Sequence, residues 1–303
     1  MATKIFATDQ PNPAGIQEDS CCHIQEAGID STHTTLLFLM RRLPAFIAAL
    51  LLPSTPTLLL GTAALTGALL ASPAPAQAQT ADDDLAQAKA LLGKKGSEQQ
   101  IIDLSNQALA KQKSAKAYYY RGIAKFSLGD KQGAISDFNQ AIAINPQYAD
   151  AYFNRGIARS ALGDNQGAIA DFNQAIAINP QDVTAYLNRG NAKFALGDKQ
   201  GAIKDYTKAI AINPQYADAY SNRGNAKSAL GDKQGALADY NKAIAINPNN
   251  ADFYLNRGNV KYDLGDKEGA CRDFKKAVSQ GGDATTLSKW LQSENAAWCR
   301  TMS

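Results

Sequence analysis

The sequence predicts an all-α protein built as a solenoid of stacked helical hairpins, and three observations carry that prediction. A unit of 34 residues recurs five times, so that Tyr118, Tyr152, Tyr186, Tyr220 and Tyr254 fall in register, as do Gly122, Gly156, Gly190, Gly224 and Gly258. Within the unit, two apolar stripes of helical period are separated by Gly-Asp and closed by Asn-Pro. The copies follow one another without insertion over residues 115–284. A hairpin of this size cannot bury its apolar face alone, so stacking must supply the core.

The elements before the array are read from composition. Residues 1–39 show no sustained period and carry both histidines, His23 and His33, and a Cys21-Cys22 pair. One reading is that the working chain starts at Met40. From there Arg41-Arg42 precede an apolar stretch over 43–71, which ends in small residues at Ala76-Gln77-Ala78. Positive start, apolar middle and Ala-x-Ala end form the pattern of a secretory signal peptide over 40–78, with export to a periplasmic or other extracytoplasmic space. The rival reading keeps residues 43–71 as a membrane anchor. If residues 1–78 are removed, no imidazole is left for nucleophilic catalysis or metal ligation. The expectation is a protein that is not an enzyme and needs no cofactor and no metal.

Residues 79–114 hold a degenerate hairpin that caps the array. Leu85, Ala88, Leu91 and Leu92 make one stripe, stopped by Gly93 and Gly96, and Ile101, Leu104, Ala108 and Leu109 make the other. The five full units follow as 115–148, 149–182, 183–216, 217–250 and 251–284. In the fourth, Tyr220, Gly224, Ala226 and Leu230 line the first helix; Gly231-Asp232 breaks it, and Asp232 can cap the second. Ala236, Leu237, Tyr240, Ala243, Ile244 and Ile246 line that second helix until Asn247-Pro248 ends it. Beyond the array, Leu287, Trp290, Leu291, Ala297 and Trp298 predict a C-terminal capping helix in 285–303.

The unit resembles the tetratricopeptide repeat, with Tyr220, Gly224, Ala236, Tyr240, Ala243 and Pro248 in the order and spacing of that motif. The resemblance covers about 170 residues and implies a right-handed superhelical solenoid. It also implies a protein or peptide partner, held on the concave surface of the first helices. Two positions depart from the family pattern. A common leucine is Arg121, Arg155, Arg189, Arg223 and Arg257, and a common aromatic is Lys125, Arg159, Lys193, Lys227 and Lys261.

Sixteen residues after each of those arginines lies an aspartate: Asp137, Asp171, Asp205, Asp239 and Asp273. The reading favoured is a structural ion pair inside each unit, such as Arg155 with Asp171, Arg189 with Asp205 and Arg223 with Asp239. The alternative is a cationic ladder for an anionic ligand. A second ladder is Asn154, Asn188, Asn222 and Asn256, joined by Asn191, Asn225 and Asn259 three residues later. Residues three apart share a helix face, and an amide can both donate to and accept from a peptide backbone. These asparagines are read either as the peptide-binding groove or as polar positions bonded within the protein. In the first two units Tyr119, Tyr120 and Phe153 make the same surface aromatic, as a hydrophobic anchor or as packing against the capping hairpin. Cys271 and Cys299 are the two cysteines after the signal segment and are expected to form a disulfide. The formal charge of +3, with basic residues placed singly, argues against a nucleic-acid partner. Membrane contact is expected only through an uncleaved signal segment. An assembly component of the cell envelope, acting through edge or convex surfaces, is the competing function.

Overall fold

Each helix of the array begins and ends at residues that cannot prolong it. The computed structural model describes residues 79–281 and 297–300, and every regular element among them is an α-helix. The capping hairpin is α1 (Ala81–Leu91) and α2 (Glu98–Lys111). The repeats are α3 (Ala115–Ser127) with α4 (Lys131–Ile144), α5 (Ala149–Ser160) with α6 (Asn165–Ile178), and α7 (Val183–Ala195) with α8 (Lys199–Ile212). They continue as α9 (Ala217–Ala229) with α10 (Lys233–Ile246) and α11 (Ala251–Asp263) with α12 (Lys267–Ser279), before a short α13 (Ala297–Arg300). The signal segment, the histidines, Cys21-Cys22, Leu287, Trp290 and Leu291 lie outside the described residues.

The third repeat shows the local logic. Gly197, at φ +87°, takes the left-handed conformation that reverses the chain after α7. Asp198 then caps α8, its carboxylate accepting from the Gly201 amide at 2.8 Å. Asp130, Asp164, Asp232 and Asp266 do the same for their own second helices. At the far end, Pro214 has no N–H with which to extend α8. Asn213 turns the chain there by accepting from the Gln215 amide at 3.0 Å.

Packing follows from small residues set against large rings. A Cβ on Gly190 would lie 2.6 Å from the Tyr206 ring, so α7 and α8 meet at the distance that only glycine permits. Ala185, Ala202, Ala209 and Ala219 are fully buried around that contact. Burying a ring such as Tyr206 contributes roughly 2–3 kcal/mol. The backbones of the first helices of successive pairs approach one another as well as their own partners, whereas among the described residues those of the second helices stay farther apart. The stack therefore curves with α3, α5, α7, α9 and α11 on its inner, concave side. The result is the all-α solenoid that the period predicts. No helix among the described residues is long and apolar enough to cross a membrane.

Candidate functional site

The inner helices bring one stripe of each repeat to the concave face. In α9 the stripe is Asp218, Ser221, Asn222 and Asn225, spaced i, i+3, i+4 and i+7. The same register holds Asp150, Phe153, Asn154 and Ile157 on α5, and Asp252, Leu255, Asn256 and Asn259 on α11.

The two aromatic positions in this stripe behave differently. Tyr119 is half-buried, its ring 4.9 Å from that of Tyr148 and 6.1 Å from that of Phe138. Phe153 is also half-buried and tilts against Phe172 at 5.7 Å. Tyr120, by contrast, is buried among Leu85, Ala88, Ile101 and Leu104 of the capping hairpin. Its ring fills the seam between α3 and that hairpin, so of the two readings open for it the packing one describes its position.

The asparagines divide into three kinds. Asn154 donates to the Tyr119 hydroxyl at 3.1 Å and to the Asp150 carbonyl at 2.9 Å. Asn188 is buried and donates to the Thr184 carbonyl at 2.9 Å, one turn back on its own helix. Asn191 and Asn225 do a job that the spacing of the ladder does not announce. Their side-chain carbonyls accept from the hydroxyls of Tyr206 (2.8 Å) and Tyr240 (2.7 Å), which are buried in the hairpin core. Asn222 in turn donates to Asn191 at 3.0 Å, linking the third and fourth repeats. Asn256 and Asn259 make no side-chain hydrogen bond among the described residues.

The covariation was legible within the chain. Where the second helix carries Phe138 or Phe172, the matching first-helix residue is Ile123 or Ile157; where it carries Tyr206 or Tyr240, the residue is Asn191 or Asn225. A buried phenol needs a partner and a phenyl ring does not. Asn259 faces Phe274 and is the one member of this row whose amide has no phenol to satisfy.

The charged positions that depart from the family pattern act as one device. Arg189 forms a two-point contact with Asp205 (2.6 and 3.0 Å), and Lys193 reaches the same carboxylate at 2.8 Å. The remaining guanidinium nitrogen donates to Asn173 on the preceding repeat at 2.8 Å, and the guanidinium carbon lies 5.3 Å from the centre of the Tyr186 ring. Arg155 and Arg159 meet Asp171 in the same way, and Arg223 and Lys227 meet Asp239. Each carboxylate is buried and serves two cations. The sequence reading pairs one arginine with one aspartate; the second cation of each first helix and an amide or hydroxyl of the preceding hairpin complete the set. In the first repeat the Asp137 hydrogen bond holds the Arg121 guanidinium above its usual range, against the opposing effect of burial.

At the end of the array Cys271 and Cys299 are joined by a disulfide, with their Cα atoms 5.4 Å apart. The bridge holds α13 on α12, and Trp298 lies with its ring 5.6 Å from that of Tyr262. No cluster of His, Cys, Asp or Glu suited to a metal ion occurs among the described residues.

Comparison with known proteins agrees with this geometry. The family model described as TPR repeat matches residues 122–163, 158–197, 190–231 and 224–265, and that described as Tetratricopeptide repeat matches 251–280. No curated protein matches the chain. Among solved structures, MamA is 29% identical over 53% of this chain and 94% of its own, with a TM-score of 0.50. A tetratricopeptide repeat protein from Parabacteroides merdae is 24% identical, covering 72% of this chain and 86% of its own, with a TM-score of 0.54. The pilus biogenesis factor PilW, 21% identical over 70% of this chain and 98% of its own, has a TM-score of 0.62. The last two show the fold alone. The matched repeats run from residue 122 to residue 280, more than half of the sequence, and the chain belongs to the tetratricopeptide repeat family.

Proposed function

We propose that this protein is a non-catalytic scaffold that holds an extended segment of a partner protein against the concave face of its first helices. Tetratricopeptide repeats serve protein–protein interaction in general, and the groove is the finer reading. The observation that carries it is the set of hydrogen-bonding positions left over on that face. Asn191 spends its carbonyl on Tyr206 and keeps its amide N–H groups, Asn222 spends an N–H and keeps its carbonyl, and Asn256 and Asn259 keep both. Alternating donors and acceptors at the repeat spacing suit a peptide backbone. Tyr119 and Phe153 supply an apolar end to the same stripe.

The repeat boundaries at 115, 149, 183, 217 and 251 belong to this reading, as does export behind a signal segment over 40–78. The disulfide supports an oxidising compartment. A crosslinking pull-down from the source organism, with wild type beside Asn256→Ala/Asn259→Ala, tests the groove. These two side chains make no hydrogen bond among the described residues, so the variant keeps its melting temperature and loses a specific polypeptide. Recovery of the same set by both proteins refutes the groove.

One observation favours the envelope-assembly reading as the second choice. Leu128, Leu162, Leu196, Leu230 and Leu264 are 42–56% exposed at the turn of every repeat, an apolar row along one edge. If that edge is the working surface, Leu196→Ser/Leu230→Ser abolishes the association and the asparagine variant does not.

A further inference from the structure

The outer helices of the array differ between its two parts. The tenth residue of each second helix is Gln140 and Gln174 in the first two repeats, then Lys208, Lys242 and Lys276 in the next three. Lys204 stands one turn before Lys208 on α8. Residues 115–182 hold six basic and six acidic residues, whereas residues 183–284 hold fifteen and eleven. The positive excess of the array therefore belongs to its last three repeats.

These lysines face away from the hairpin core. On α8, Ala202, Asp205, Tyr206 and Ala209 are buried, while Lys204 and Lys208 are exposed on the opposite side. Lys242 and Lys276 are exposed in the same register of α10 and α12. Other lysines of the repeats hold the fold together. Lys193 and Lys227 reach the buried carboxylates, and Lys199 and Lys233 reach the Ala229 carbonyl and the Asp263 carboxylate of the following hairpin. Lys204, Lys208, Lys242 and Lys276 make no ion pair or side-chain hydrogen bond among the described residues. The carboxylates nearest to them in sequence, Asp205, Asp239 and Asp273, are buried and each already holds two cations. Glu268, one turn further back on α12, faces Arg272 at 3.7 Å.

The form of the row selects its ligand. Packed helices lie about 8–10 Å apart, and the second helices of successive repeats stand farther apart than packed neighbours, so the lysines recur at intervals of more than about 10 Å. A nucleic acid carries a charge about every 3.4 Å along each strand and needs a denser set of cations. The exposed neighbours of the lysines, such as Thr207, Ala211 and Asn241, offer no ring on which a base could stack. A flat anionic bilayer meets a convex stack at its crest alone, which keeps lysines spread round the curve from reaching it together. An extended polypeptide advances about 3.3 Å per residue, so carboxylates three or four residues apart match the row.

We propose that Lys208, Lys242 and Lys276, with Lys204 beside them, form a second docking surface on the outer helices of the last three repeats, which takes an acidic segment of a protein partner. This surface is separate from the concave groove and does not depend on it. Each ammonium donates to one carboxylate of the segment, and the exposed setting makes every pair weak and the sum specific for charge.

The test uses the full chain and three labelled, acetylated hexadecapeptides in which Glu, Gln or Lys alternates with Ser, followed by fluorescence anisotropy at low and physiological salt. The Glu peptide binds most tightly and the Lys peptide least, and salt weakens the Glu peptide. Lys208→Gln/Lys242→Gln/Lys276→Gln installs the residue that the first two repeats already carry, so its melting temperature matches that of wild type. It weakens the Glu peptide about tenfold, a little over twofold for each exposed pair, and leaves the Gln peptide unchanged. Asn256→Ala/Asn259→Ala leaves the Glu affinity as it is. Equal binding of the Glu and Gln peptides by the wild type, a Glu affinity untouched in the lysine variant, or no binding of the Glu peptide overturns the proposal. Loss of the Glu peptide in the asparagine variant alone places the acidic segment in the groove and overturns it too. An oligothymidine of the same length that binds more tightly than the Glu peptide, and is weakened in the lysine variant, overturns the assignment to a protein partner.

Discussion

Removing a single carboxylate from the third repeat separates a structural ion network from surface decoration. Asp205 is 4% exposed and holds Arg189 at two points and Lys193 at a third, all within 3.0 Å. Asp205→Asn keeps the size of the side chain and leaves two partly buried cations facing each other with no anion. Breaking one partner of a buried pair costs about 3–5 kcal/mol. The arginine and lysine here are 17% and 22% exposed, which lets water screen part of that cost and places the expectation near the lower end, about 3 kcal/mol. Replacing the whole set, as Arg189→Leu/Lys193→Tyr/Asp205→Leu, removes the desolvation penalty along with the attraction. It should lie within about 1–2 kcal/mol of wild type. Urea titration followed by circular dichroism measures both variants, and hydrogen exchange of the α7 and α8 amides locates the change, since repeats open as neighbouring units. The reasoning fails if Asp205→Asn unfolds at the wild-type midpoint, or if the triple replacement is destabilised more than the single one.

Three further outcomes rest on the same packing. Asn225→Ala strands the Tyr240 hydroxyl and should cost about 1–3 kcal/mol, whereas Asn225→Ala in a Tyr240→Phe background should cost much less; a double-mutant cycle reads the coupling. Gly190→Ala places a methyl group 2.6 Å from the Tyr206 ring and should lower stability by about 1–3 kcal/mol, and by much less when added to a Tyr206→Ala background; thermal unfolding of the four proteins of that cycle compares the two increments. Reduction of Cys271–Cys299, which closes a separation of 28 residues, should cost about 3 kcal/mol and release α13; proteolysis at the C-terminus before and after reductant detects that release.

The fold was legible because its signals are local and repeated. Asp198, Gly197 and Pro214 act within a few residues of themselves, and each occurs at the same place in several repeats, so chance was averaged out. The site was less legible because the fate of a polar side chain depends on what a different helix presents. Nothing around Asn191 reveals its bond; Tyr206, fifteen residues on, does. The ion network was half-read for a related reason. Arginine and aspartate sixteen residues apart imply a pair, but nothing in the spacing marks the cation four residues beyond the arginine as the second partner of the same carboxylate. Tyr120 shows a third limit. An aromatic on the concave register looks like an anchor until the end of the array is known to be covered, and there the capping hairpin takes its ring.

Asp218, in the first turn of α9, gives a pH dependence of a sign opposite to ordinary acid denaturation. Burial, and then Asp252, raise the Asp218 pKa in the folded protein above its ordinary value of 3.8. Below that value the carboxyl is protonated in both the folded and unfolded chains and contributes nothing to the difference between them. As pH rises, the unfolded chain releases its proton first, so the folded state loses stability until the folded carboxyl ionises too. Asp218→Asn removes this penalty. The variant should therefore be more stable than wild type at neutral pH, and the gain should vanish in titrations below about pH 4. A variant that is less stable than wild type at neutral pH would mean that the favourable field of the helix Asp218 begins outweighs its burial.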